Sequence, residues 1–392
     1  MKSATEAKQD LTRHLPALAM RRVTLAESLG SYCAKAVIAE SLVPPFDNSA
    51  MDGYAFCWQD YKPGNALPVA GEMAAGIAQS DNFKPGTAMR IFTGAMVPEG
   101  FDTVVMQEKT RLVEGSVFVD DTQLVKGANV RKAGSQTRIG DLLLKPGHKI
   151  TPGVVGFLAS AGISQLWVYE WPKIAVVVTG NEVVEPGQPL LPGQVYECNG
   201  FSLRAALQDM GIQASVAYAP DNKAALTKQL QTAMDAADWV LVTGGVSVGD
   251  YDLVVPVLNE LGVQTVFHRI KQKPAKPFYF GTKGEKRIFG LPGNPASVLT
   301  CWYAWIRPFL LQASGVNENN YRQTAAVQQH LTKKPGLTQF IKGYAANGQV
   351  HVLAGQESYR MDAFAEANCF VVLDEDSEGA SEGSPVNLIM FQ

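Results

Sequence analysis

Three short loops carry the residue types that hold anions. Residues 244–250 supply Gly244, Gly245, Ser247, Gly249 and Asp250 directly after an apolar run. Glycines let backbone N–H groups approach an anion with no Cβ in the way. Ser247 adds a hydroxyl, while Asp250 and Asp252 add carboxylates that repel a phosphate unless a divalent cation lies between them. The combination points to phosphate held with Mg2+, although a plain strand-to-helix turn capped by Asp252 would use the same glycines. Lys273 and Lys276 alternate with Pro274 and Pro277. Each proline favours an extended residue before it, so the two ammonium groups sit on a stiff segment suited to an oxyanion; a solvated basic loop is the plainer reading. Pro292, Gly293, Asn294, Pro295 and Ser297 form the third loop, with Asn294 as helix N-cap and Pro295 as first helical residue, leaving free N–H groups at a helix start. Glu182 follows an apolar strand and would reach the same edge, either as a metal ligand or as an ordinary loop carboxylate.

The elements that must position these loops alternate. Residues 174–179 and 239–243 are β-branched and apolar enough for buried strands, and 215–219 and 287–291 read the same way. Between them, a helix from Asn199 carries Leu203, Leu207 and Met210 on one face and ends at Gly211. A second helix, capped by Asp221, carries Leu226, Leu230 and Met234. A long helix is predicted from Pro295 to about Leu311. Alternating strands and helices imply a parallel sheet with helices on both faces, and all three loops at the carboxyl ends of its strands. Residues 1–40 read as amphipathic helix, with Leu18, Val23, Leu25, Ala26 and Leu29 forming a buried stripe. Residues 50–134 and 320–392 read as short strands between glycine and proline turns, and a helix is predicted over 151–161.

The 392 residues carry a net charge of −3, which excludes a global basic field for nucleic acid or anionic lipid. Five cysteines with no C-x-x-C pair argue against a disulfide framework or zinc knuckle and for a reducing, cytoplasmic setting. No apolar run reaches membrane-spanning length, and the N-terminus shows no signal-peptide pattern.

The strings PPFDNSAMDGYAF, RIFTGAMVPEGFDTVVMQE, VEPGQPLLPGQVYECN, TGGVSVGDYD, KPAKPFYFG and GLPGNPAS, in that order, resemble the molybdopterin molybdenumtransferase family, which includes the gephyrin E domain. The resemblance runs from about residue 10 to the C-terminus. It implies an α/β and β multidomain fold: a discontinuous helical–β domain (1–44 and 135–173), a β domain (45–134), a central parallel α/β domain of molybdopterin-binding type (174–320) and a C-terminal β domain (321–392). It further implies a homodimer with a cleft completed across subunits, and insertion of molybdate into adenylylated molybdopterin with release of AMP and molybdenum cofactor. Mg2+ is the implied cofactor, and a molybdopterin adenylyltransferase is an implied partner. Carried over by position, Asp52, Glu182, Asp250, Lys273 and Lys276 take catalytic roles. Thr93, Asp221, Gly244, Gly245, Ser247, Gly249, Pro292, Gly293, Asn294 and Ser297 bind substrate. Asp250 and Glu182 hold the metal, and Lys342 and Ser358 contact molybdate. Four positions depart from the family: Gln136 and Asn181 stand where acids are usual, Lys342 replaces an arginine, and Asp362-Ala363 replaces a serine pair. These departures frame two alternatives, a paralogue that binds without efficient insertion and a hydrolase that ignores molybdate.

Overall fold

The structure is a computed structural model that describes residues 1–77, 84–246, 253–317 and 320–391. Its centre is a six-stranded sheet: β1 (Ile174–Thr179), β2 (Ala214–Ala219), β3 (Trp239–Thr243), β4 (Gln264–Arg269), β5 (Pro277–Lys283) and β6 (Lys286–Leu291), in the order β2-β1-β3-β6-β5-β4. β2, β1, β3 and β6 pair in parallel, as the alternating pattern predicts. β5 runs antiparallel to both β6 and β4, so the sheet is mixed rather than wholly parallel. The cause is local: only Gly284 and Glu285 separate β5 from β6, enough for a hairpin and far too few for a parallel crossover.

Alternate residues of β1 face opposite layers. Ile174, Val176 and Val178 join a core with Leu203 and Leu207 of α1 (Asn199–Asp209), while Ala175 and Val177 join Leu226, Leu230 and Met234 of α2 (Lys223–Ala236) and Val254 and Val257 of α3 (Val254–Glu260). The first core is strongly aromatic. Phe280 stacks on Phe289 at 5.0 Å, and Trp239 lies 5.1 Å from Phe309. Helices thus cover both faces.

Three local expectations are corrected. Asp221 does not cap α2; Asn222 does, its side chain accepting the Ala225 N–H at 2.8 Å. The helix after Pro295 is not continuous α-helix: α4 (Pro295–Cys301) passes through a π-helical turn (Trp302–Ile306) into α5 (Arg307–Ala313), with Pro308 in the first turn of α5, where its missing N–H is tolerated. The amphipathic helix over 1–40 is confined to Ala4–Arg13. Beyond it Met20–Thr24 is a strand paired with Gln165–Tyr169, so of the predicted stripe only Val23 is fully buried and Leu29 is exposed. A strand needs period-2 burial, and tertiary pairing overrode the helical spacing.

Around this centre lie β structures. A six-stranded sheet is built from residues between 53 and 119. Two short antiparallel pairs join residues 20–38 to residues 142–169, and the predicted helix appears as Pro152–Ser160. Another six-stranded sheet includes Thr338–Ala346, Cys369–Leu373 and Pro385–Met390. The short strand Gln272–Lys273 adds to it beside Thr338, joining it to the central region.

Candidate functional site

The carboxyl ends of β1, β3, β6 and β4 lie along one edge of the central sheet, and each is followed by a chemically loaded segment. After β1 come Glu182 and, further on, Glu197 and Asn199. After β3 come Gly244 and Gly245. After β6 comes the 292–297 loop, and after β4 the lysine loop. Together with residues 331–359 of the C-terminal sheet region they line a cavity of about 1250 Å³. Glu182, Gly245, Lys273, Lys276, Pro292, Gly293, Asn294, Ser297 and Ser358, all expected from sequence, lie in its wall.

Backbone chemistry explains the glycine turn. Gly244 has φ +87° and Gly245 φ +62°, left-handed values that cost other residues energy. A Cβ on Gly244 would lie 2.6 Å from the Thr179 hydroxyl, which itself donates to the Thr243 carbonyl at 3.0 Å. Gly244 donates its N–H to Leu291 at 3.0 Å, and its Cα lies 3.9 Å from where a Cβ on Gly293 would stand. The two loops therefore touch through bare backbone. Ser247, Gly249 and Asp250 lie outside the described residues.

The lysine loop is anchored from beneath. Gln272 is buried, accepts the Trp305 indole N–H at 2.9 Å and donates to the Ala275 carbonyl at 2.7 Å. The Ile270 N–H closes the loop on the Lys276 carbonyl at 3.1 Å. Lys273 and Lys276 are left exposed in the cavity wall with the backbone beneath them fixed. Asn294 is the N-cap residue of α4, but its side chain does not cap; its Nδ2 donates to the Ser358 hydroxyl at 3.0 Å, joining the helix start to the C-terminal region.

The remaining expected residues lie elsewhere. Asp52 accepts the Thr93 N–H at 2.7 Å and the Thr93 hydroxyl at 2.8 Å, and these two bonds hold its carboxyl below the usual aspartate value. Neither residue lines the cavity. Asp221 exchanges bonds with Asn181: the Asn181 N–H donates to its Oδ2 at 3.2 Å, and its own N–H donates to Asn181 Oδ1 at 3.1 Å. Lys342 is buried and outside the cavity wall. Its ammonium donates to the Gly355 carbonyl at 2.6 Å and the Arg360 carbonyl at 3.1 Å, 5.2 Å from the centre of the Phe364 ring. Those donors are engaged with backbone rather than directed at an anion. The Asp362 carboxylate is forked onto Arg360, which lowers its pKa and offsets its charge.

Sequence reasoning missed Glu197, Asn199 and Gln272. The first two lie in the quoted string VYECN, so a signal was present; Gln272 is identifiable only from its buried bonds.

Three family models cover most of the chain: the MoeA N-terminal region (domain I and II) over residues 2–162, the probable molybdopterin binding domain over 175–312, and the MoeA C-terminal region (domain IV) over 324–391. A molybdopterin molybdenumtransferase from Haemophilus influenzae is 35% identical, covering 94% of this chain and 93% of that protein. Molybdopterin molybdenumtransferase 2 from Mycobacterium tuberculosis is 32% identical, covering 99% of each. Among solved structures, a molybdopterin biosynthesis moeA protein from Pyrococcus horikoshii superimposes with TM-score 0.87 at 26% identity over 100% of both chains. Another structure of that name superimposes with TM-score 0.84 at 30% identity, over 100% of this chain and 99% of the other.

Proposed function

The chain belongs to the molybdopterin molybdenumtransferase family, and from that premise we propose that it inserts molybdenum into molybdopterin at the cavity over the central sheet edge. The observation that carries the location is the convergence of Lys273, Lys276, Gly245, Gly293 and the start of α4 on one cavity. The N–H groups expected to be free at the α4 start are not: Ala296 donates to the Ser358 carbonyl and Ser297 and Val298 to that of Asn294, and Gly244 donates to Leu291. The two lysines, held on a fixed backbone, are therefore the principal donors to phosphate and molybdate oxygens.

The finer reading is that the substrate is adenylylated molybdopterin and that AMP leaves. The phosphate lies beside Gly245 and Gly293 in the cavity wall, and Lys273 and Lys276 hold molybdate and stabilise charge on the leaving group. Ser297 and Ser358 offer hydroxyl donors to the same anions. The carboxylate chemistry fits a magnesium ion, which takes one or two carboxylates together with phosphate oxygens. Glu182 stands in the wall, and Asp250 follows the glycine turn in sequence. Mg2+ held there would neutralise phosphate charge; Glu182 would also orient the attacking oxygen. Of the departures, Asp362 has its charge offset by Arg360 and Asn181 keeps Asp221 in place, which favours insertion over the binding-only and hydrolytic alternatives.

We place this protein in the cytoplasm as a homodimer acting after a molybdopterin adenylyltransferase. No helix among the described residues is long and apolar enough to cross a membrane. Asp52 and Thr93 stand outside the cavity of their own chain, and a two-fold partner is the proposed route by which they reach a site. Single-turnover reaction of the protein with adenylylated molybdopterin and Mg2+, with and without molybdate, tests the reading. Molybdate-dependent AMP release with active cofactor is expected; release indifferent to molybdate would overturn it. Mixing Asp52→Ala with Lys276→Ala protein, then allowing subunit exchange, should restore roughly one quarter of the sites if the cleft is shared across a two-fold.

A further inference from the structure

We propose that Asn199 and Glu197 form an acceptor wall that reads N–H donors, ring or amino, on the edge of the substrate's heterocycle. This deepens the functional reading above and rests on it. Asn199 opens α1, and its Nδ2 donates to the Gly293 carbonyl at 2.8 Å. That bond fixes the amide: turned half a revolution, it would set oxygen against oxygen. Oδ1 is then buried with no hydrogen-bond partner among the described residues, on a residue that lines the cavity. An unpaired buried acceptor is destabilising, and a ligand donor would relieve it.

Glu197 stands in the same wall, only 2% exposed. Its Oε1 accepts the Gly200 N–H at 2.7 Å, while among the described residues its Oε2 has a long contact, 3.5 Å, from the Tyr218 hydroxyl. Gly200 makes this placement possible. A Cβ there would lie 3.0 Å from Val178, 3.1 Å from Val216 and 3.0 Å from Glu197 itself, so any larger residue would have to push these side chains back by a few tenths of an ångström for α1 to start this close to the sheet.

The sheet order then separates the chemistry. Asn199 and Glu197 stand where α1 leaves β1 for β2, and the lysines stand after β4 at the opposite end of the order β2-β1-β3-β6-β5-β4. Molybdate goes to the lysine end, and the phosphate lies between the two ends beside Gly245 and Gly293. The acceptor end, with a carboxylate, repels anions and favours neutral N–H donors. Adenine carries such a donor in its amino group, and a pterin carries them along its amino-lactam edge, so the shared chemistry is a ring N–H or NH2 edge.

The experiment measures dissociation constants of the full-length protein for two probes, AMP and molybdopterin, by calorimetry. Asn199→Ala removes the acceptor, and Glu197→Gln keeps shape while turning an amide donor toward the cavity. Both variants should lose about ten-fold affinity for one probe and under two-fold for the other, which names the half of the substrate that is read. The unaffected probe reports that the cavity and the Gly293 loop are intact. Equal losses on both probes, or none on either, would overturn the assignment. Should Asn199→Ala not fold, the isosteric Glu197→Gln decides alone by the same criterion. A wild type that binds neither probe would instead overturn the functional reading, and this inference with it.

Discussion

Replacing Lys342 by methionine separates two accounts of that residue. If it is a latch, its loss weakens the segment that forms one wall of the cavity. Lys342 is 3% exposed, with its ammonium on the Gly355 and Arg360 carbonyls. At about 1.5 kcal/mol for each charge-assisted bond, the pair contributes about 3 kcal/mol. Burial lowers the pKa of this lysine, so the buried charge carries a desolvation cost that methionine would remove. Methionine also keeps much of the packing. The net loss should be about 2 kcal/mol. It should be local, because the bonds Gln356 makes with the Lys342 backbone survive the change. Amide hydrogen exchange over residues 353–361 should therefore speed up by about 30-fold. Half-saturating molybdate, read from single-turnover AMP release, should move by less than about three-fold. Unchanged exchange with a rise in half-saturating molybdate of about ten-fold or more would refute the reasoning, since it would mean that the ammonium meets the anion.

Three further outcomes follow from the same geometry. Gly244→Ala forces a left-handed alanine whose Cβ would lie 2.6 Å from the Thr179 hydroxyl; a loss of about 1–3 kcal/mol in stability and slowed AMP release are expected, and normal values of both would contradict the turn as described. Thr93→Val removes one of the two bonds that hold Asp52 low, so its titration, followed by carbon NMR, should move up toward the ordinary 3.8. Because the folded pKa is depressed, the stabilisation is present above the unfolded pKa and fades as pH falls through the folded one, so the variant should lose less stability on acidification; an unmoved midpoint would remove the hydroxyl from the account. Lys273→Ala and Lys276→Ala should each raise half-saturating molybdate by about ten-fold at low salt and less at high salt; a change below about two-fold would leave the lysine loop outside the site.

The chain by itself determined the chemistry that is local. Glycines that need positive φ, prolines that stiffen the lysine loop and the buried runs of β1 and β3 are properties of a few consecutive residues, so their strings are legible without a fold. The same locality explains the errors. Residues 18–29 have helical spacing, but pairing with 165–169 is decided more than a hundred residues away, and the antiparallel β5 depends on a two-residue connection that the alternation of strands and helices does not reveal. Long-range contact also decides the partners of single side chains. The fold sets the Lys342 ammonium on the Gly355 and Arg360 carbonyls, and Asn294, which reads as a side-chain cap, gives its amide to Ser358. Only the tertiary structure could show Asn199 Oδ1 without a partner among the described residues, because whether a polar atom is satisfied depends on every neighbour brought to it by folding.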